Sequence, residues 1–213
     1  MTGKSWAALI AAVVFSTQTA VAQETGSSPS SVDTVQSDDL PIGTPDSNGV
    51  GETYTAETHG DWEIRCIRVA EGQPEPCQLY QLLVDAGDSP VAEVNIFDVP
   101  DTDRVIAGAT IVTPLDTLLS QQLRLQVDDG QVLRYPFTFC QTIGCFVRIG
   151  LTEENVDAFR QGGEAIVSIV PLQAPDQVAD LAMSLTGFTA GYEALSVRAA
   201  AAQDALETLS QTE

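Results

Sequence analysis

Four cysteines in two close pairs, Cys66 with Cys77 and Cys140 with Cys145, stand downstream of an N-terminal export signal and constrain this chain more than any other feature. An even count at short spacing in an exported chain predicts a disulfide framework formed in an oxidising compartment. Four cysteines permit three connectivities, and proximity along the chain favours pairing of neighbours. Cys66 with Cys77 then closes a loop holding Glu71, Gly72, Pro74 and Pro76, and Cys140 with Cys145 closes a tighter one around Gly144. Each such loop contributes roughly 2 to 3 kcal/mol by restricting the unfolded chain. Neither spacing is C-x-x-C, which argues against a redox-active pair.

The export signal has its three usual parts. Lys4 supplies the positive end, residues 6–15 are uninterruptedly apolar, and Ala20, Val21 and Ala22 form a small-x-small cleavage site before Gln23. The mature chain is expected to begin near Gln23 and to be periplasmic or secreted. No later stretch approaches the about 20 apolar residues that a spanning helix needs.

Lysine and arginine number 9 together against 30 acids, and Lys4 is the single lysine, so cleavage shifts the net charge from −21 by one further unit. Such a chain repels nucleic acid and anionic lipid, and neither is expected as a primary partner. Acid spread along the whole chain, with arginine kept and lysine lost, reads as solubility in a salty medium rather than as a site.

Composition changes near residue 58. Residues 23–58 hold Ser, Thr, Gly, Pro, Asp and Glu with almost no large apolar side chain, and predict a flexible acidic leader. Residues 59–195 carry the aliphatic and aromatic side chains of one domain. Residues 196–213 are alanine-rich, with Leu206 and Leu209 as large apolar positions, and predict a weak helix or frayed tail.

Within the domain the apolar period is mostly two. Trp62, Ile64 and Cys66 alternate with polar neighbours, and residues 77–84, 91–97, 104–112, 145–149 and 165–172 are further short strand patterns. Leu123, Leu125 and Val127 followed by Asp128, Asp129 and Gly130, with Val132 resuming the pattern, predict a hairpin. Residues 152–161 read as the one helix, capped by Thr152, favoured by Glu153 and Glu154 at its positive end, and stopped by Gly162 and Gly163. About eight short strands with one short helix predict an all-β sandwich with two local disulfides.

Catalytic constellations fail on inventory. The single histidine, His59, sits at the edge of the leader, too isolated to serve a triad or, with Asp61 alone, to complete a metal site. Asp98, Asp101 and Asp103 offer oxygens for calcium on a loop but lack the glycine and distal glutamate of the helix-loop-helix calcium site, and a solvated turn is the simpler reading. Two of the many acids can in principle make a glycosidase pair, and spacing does not select which. No cofactor is expected.

Gly60, Asp61 and Trp62 leading into Cys66, the ordered set of four cysteines, and the closing stretch of residues 185–195, in which Gly187, Phe188, Gly191 and Tyr192 repeat a glycine-aromatic pattern, resemble the invasion-associated locus B family. The resemblance covers about residues 59–195. It implies an exported envelope protein of Gram-negative bacteria with an immunoglobulin-like β-sandwich, and it brings no established catalytic residues. The acidic leader, the alanine-rich tail and the near-absence of lysine depart from the family's short form. Gly187, Phe188, Gly191 and Tyr192 admit two roles, closure of the core or a contact surface, and the spacing of Phe188 and Tyr192 on one face of a turn favours closure. The functional expectation is a noncatalytic envelope interaction protein whose partner is a protein or glycan. The alternatives are an envelope hydrolase using paired carboxylates and a calcium- or glycan-binding module.

Overall fold

The computed structural model describes residues 49–99 and 104–211. The export signal, most of the acidic leader, and Asp101 and Asp103 of the candidate calcium loop lie outside the described residues.

Eleven strands and two α-helices, with one short 3-10 turn at Leu119–Gln121, follow one another among the described residues. β1 (Thr53–His59), β2 (Trp62–Ile67), β3 (Cys77–Val84), β4 (Pro90–Asp98) and β5 (Ala107–Thr113) form an antiparallel meander, to which β9 (Gly144–Leu151) and β8 (Phe139–Gln141) add in the order β1-β2-β3-β4-β5-β9-β8. The second sheet contains β6 (Leu123–Val127), β7 (Leu133–Tyr135), β10 (Glu164–Ile169) and β11 (Ala179–Ser184), ordered β11-β10-β6-β7. Helix α1 (Glu153–Gln161) connects β9 to β10, and α2 (Phe188–Ser210) follows β11.

The period of two decides which side chains enter the core. Ile64, Leu79, Ile96 and Ile149 from the larger sheet meet Leu125, Val167, Leu181 and Met183 from the smaller one, all within a single buried cluster. Burial of each such side chain contributes about 1.5 to 3 kcal/mol. The protein is therefore an all-β sandwich, and both disulfides join neighbouring cysteines. Cys66 faces Cys77 across β2 and β3, and Cys140 faces Cys145 across β8 and β9.

Helix α1 starts where the sequence places it. The Thr152 hydroxyl accepts from the Asn155 backbone N–H while Asn155 Oδ1 accepts from the Thr152 backbone N–H, a reciprocal cap that satisfies two donors at the helix start.

Three features differ from the sequence expectation. Among the described residues the strands number eleven rather than about eight, and there are two α-helices rather than one. All of β1 but His59 lies within the stretch read as leader: its backbone pairs with β2, while Tyr54 and Ala56 pack against the core, so pairing supplies what its polar composition hides. Residues 188–210 form a continuous helix, because the face that buries Phe188, Tyr192 and Leu195 nucleates a turn that alanine then propagates.

Candidate functional site

Gly60, Asp61 and Trp62 on one side, and Ser184 through Tyr192 on the other, close on each other. The Trp62 indole Nε1 donates to the Ser184 carbonyl at 2.9 Å, and Gln81 Nε2 donates to the same carbonyl at 3.0 Å and to that of Asp61 at 3.2 Å. The Asp61 carboxylate accepts from the Ser184 hydroxyl at 2.6 Å, and the Asp61 backbone N–H donates to the Thr186 carbonyl at 3.1 Å. Gly60 (φ +58°) and Gly187 (φ +86°) occupy the left-handed region at this crossing. A Cβ on Gly60 would lie 2.5 Å from the Thr186 carbonyl oxygen, and one on Gly187 would lie 2.0 Å from that of His59.

Phe188 then enters the core fully buried, edge-on to Trp62 (5.6 Å, 67°) and to Phe159 (5.3 Å, 84°), and stacked with Tyr192 (5.7 Å). Gly191 leaves room for Leu79, whose Cδ1 would stand 2.7 Å from an added Cβ. Phe188, Gly191 and Tyr192 are thus buried together, with Gly187 half-buried where the chain enters the core. A partner approaching from solvent does not meet the Phe188 ring.

His59 ends β1, and its Nε2 lies 3.0 Å from Glu57 Oε2. Arg198 of α2 donates to Glu57 Oε1 from Nε (3.1 Å) and Nη2 (2.5 Å). The Arg198 bonds, followed by the one to His59, hold the Glu57 carboxyl below its ordinary pKa. This cluster ties the middle of α2 to β1.

A cleft of about 510 Å³ opens elsewhere, between the β6–β7 hairpin and α1. Its floor is the core itself: Leu125, Leu151 and Phe159 are buried and Leu133 is half-buried beside them. Tyr135 of β7 stands in its wall, where burial raises the phenol's pKa. Asp128, Asp129 and Glu154 line it, whereas no lysine, arginine or histidine does among the described residues. Asp128 (φ +44°) spends its carboxylate on the backbone N–H groups of Gly163 and Glu164, which fixes the hairpin turn against the end of α1. Asp129 and Glu154 remain exposed. The volume falls within the range of sites for small ligands or a partner's side chains, with an apolar base and few polar groups.

The sequence marks the acids of the Asp128-Asp129-Gly130 turn and of the α1 start, but not that both flank one gap. Only the packing of α1 across the open end of β6 and β7 shows it. No cluster of three or more metal-ligating side chains occurs among the described residues.

The family model of the invasion associated locus B (IalB) protein matches residues 62–196. The chain belongs to the invasion associated locus B family. Among solved structures, this member is similar to invasion associated protein B from Bartonella henselae, with 26% identity, a TM-score of 0.55, and coverage of 66% of this chain and 95% of that one. Among curated proteins no match is found. The locus B match contains the Trp62–Phe188 contact, both disulfides and the cleft, whereas Glu57 and Arg198 lie outside it on either side. β1 and the outer part of α2 are thus bound to each other beyond the matched locus B segment.

Proposed function

We propose that this protein is an exported, noncatalytic interaction protein of the Gram-negative envelope, and that it holds a protein or glycan partner at the cleft between β6–β7 and α1. The observation that carries the reading is the cleft's construction. Its base is apolar core held rigid by the capped α1 and by Asp128, while the residues lining it include no histidine, lysine or cysteine. Two further features support it. Every cysteine is in a disulfide, which suits an oxidising compartment outside the cytoplasm, and the Bartonella henselae relative is named for invasion. No helix among the described residues is long and apolar enough to cross a membrane.

A second reading, an envelope hydrolase working through paired carboxylates, rests on Asp129 and Glu154 in the same cleft. The two readings separate in a pair of experiments. A photocrosslinking side chain is placed at Gln131, on the cleft, and separately at Val197, 71% exposed on α2. The expected result in intact cells of the producing bacterium is a stable adduct from position 131 and none from 197. Turnover of a cell-wall glycan that stops in Asp129→Asn with Glu154→Gln favours the hydrolase instead.

A further inference from the structure

The outer face of the β6–β7 hairpin, turned away from the cleft, carries a like-charge cross-strand pair that no other strand pairing among the described residues shows. Arg124 of β6 and Arg134 of β7 are direct cross-strand partners. Opposed residues on one face hold their Cβ atoms about 5 Å apart, and like charges so placed repel. Both arginines alternate with Leu123, Leu125, Leu133 and Tyr135, which face inward, so they share the solvent face.

Carboxylates to neutralise them are abundant, with 30 acidic residues in the chain. Other arginines take that option: Arg65 pairs with Glu63, Arg160 with Asp157 and Arg198 with Glu57. Arg68 and Arg148 lie over the rings of Tyr54 and Phe139. Arg124 and Arg134 make neither kind of contact among the described residues. In the same row, Ser168 opposes Arg124 and Asp180 opposes Ser168, and the Asp180 carboxylate accepts the Ser168 hydroxyl at 2.5 Å. Asp180 is two strands from Arg124, roughly 10 Å at the usual strand spacing.

We propose that Arg124 and Arg134 form a cross-strand clamp for one tetrahedral oxyanion, a sulfate or phosphate group. Each guanidinium offers parallel N–H donors to such a group, and the bound anion relieves the repulsion between the two cations. The protein's overall negative charge opposes the approach of anions. At about 0.15 M salt its field is screened beyond roughly 8 Å, which leaves the contact pair in force. The site is separate from the cleft and stands without the interaction reading above.

The test is an NMR titration of the mature chain that follows arginine side-chain Nε–H signals. The probes are sodium sulfate, sodium phosphate and a sulfated disaccharide, each against sodium chloride at matched ionic strength. The expected result is that the Arg124 and Arg134 signals move together and saturate while those of Arg65 and Arg160 stay in place. Arg134→Gln is expected to abolish the response of Arg124 and to raise the melting temperature at low ionic strength, which also shows that the variant folds. Saturation by the inorganic ions alone assigns a free ion, and stronger saturation by the disaccharide assigns a glycan. Equal drift of all arginines, or no response beyond chloride, overturns the clamp.

Discussion

Trp62 and Ser184 are joined by one hydrogen bond, indole Nε1 to backbone carbonyl at 2.9 Å, across 122 residues of chain. That bond fixes the first core residue of β2 to the last residue of β11. It lies beside a crossing at which neither backbone tolerates a side chain. The two motifs by which this sequence is most easily recognised are therefore halves of one closure.

Substitution at that crossing is expected to be costly. Gly187→Ala places a Cβ against the His59 carbonyl in a backbone conformation that favours glycine. Strain alone costs about 1 to 3 kcal/mol, before the clash is counted. Urea unfolding of the variant should show a lowered midpoint, and an unchanged midpoint would falsify the closure.

Phe188→Ala removes a ring that touches Trp62, Phe159 and Tyr192. The expected loss is about 3 to 5 kcal/mol. Ile143→Ala, at a residue 73% exposed on the β8–β9 hairpin, should change stability by less than about 0.5 kcal/mol. Chemical denaturation of both variants compares the two positions, and similar losses would show that Phe188 is not the core anchor.

Acid should loosen the link between β1 and α2. The Glu57 carboxyl is held below its ordinary value by Arg198 first and His59 second, Glu63 chiefly by its bond from Arg65, and Asp85 by the backbone N–H groups of Ser89 and Gly87. A carboxyl with a lower pKa in the folded state stabilises the fold above its unfolded pKa. That stabilisation disappears as pH falls through the folded value. The melting temperature should therefore decline on acidification below about pH 4.5, the ordinary range for such carboxyls. Glu57→Gln should flatten the decline, and an identical pH profile in that variant removes Glu57 from the account.

The two disulfides should differ in what their loss disturbs. Each pair has one buried member, Cys66 and Cys145, but Cys66 and Cys77 pack in the main core cluster, whereas Cys140 is exposed at an edge strand. Replacing Cys140 and Cys145 with alanine should lower stability by about 2 kcal/mol, the entropy of a short loop. Replacing Cys66 and Cys77 adds a packing loss to a similar entropic term. Thermal unfolding of the two double variants should rank them in that order.

Much of this architecture is legible in the sequence because alternation is strong where both flanking strands are apolar. Residues 77–84 coincide with β3, and the Asp128-Asp129-Gly130 turn joins β6 and β7. β1 escapes notice because its stability comes from pairing at a sheet edge, and its own composition is that of a polar linker. β11 escapes because Ala179 and Ala182 blur the contrast between its faces, although Leu181 and Met183 are buried. The glycine-aromatic stretch predicts core closure, but not the helix that follows, since the buried stripe stops at Leu195 while the helix continues. The cleft depends on a packing gap between a hairpin and a helix, which no local pattern encodes.

We propose that a partner is held at the cleft, while the motifs at Gly60–Trp62 and Gly187–Tyr192 serve to close the core. Ala158 lines that cleft from α1, so Ala158→Phe fills it without touching the Trp62–Ser184 closure. The decisive measurement is the yield of photocrosslinked adduct from position 131 in intact cells, wild type against Ala158→Phe, with the melting temperature of each protein measured in parallel. The adduct is expected to disappear while the melting temperature shifts by only a few degrees. An undiminished adduct from the filled cleft contradicts contact at the cleft.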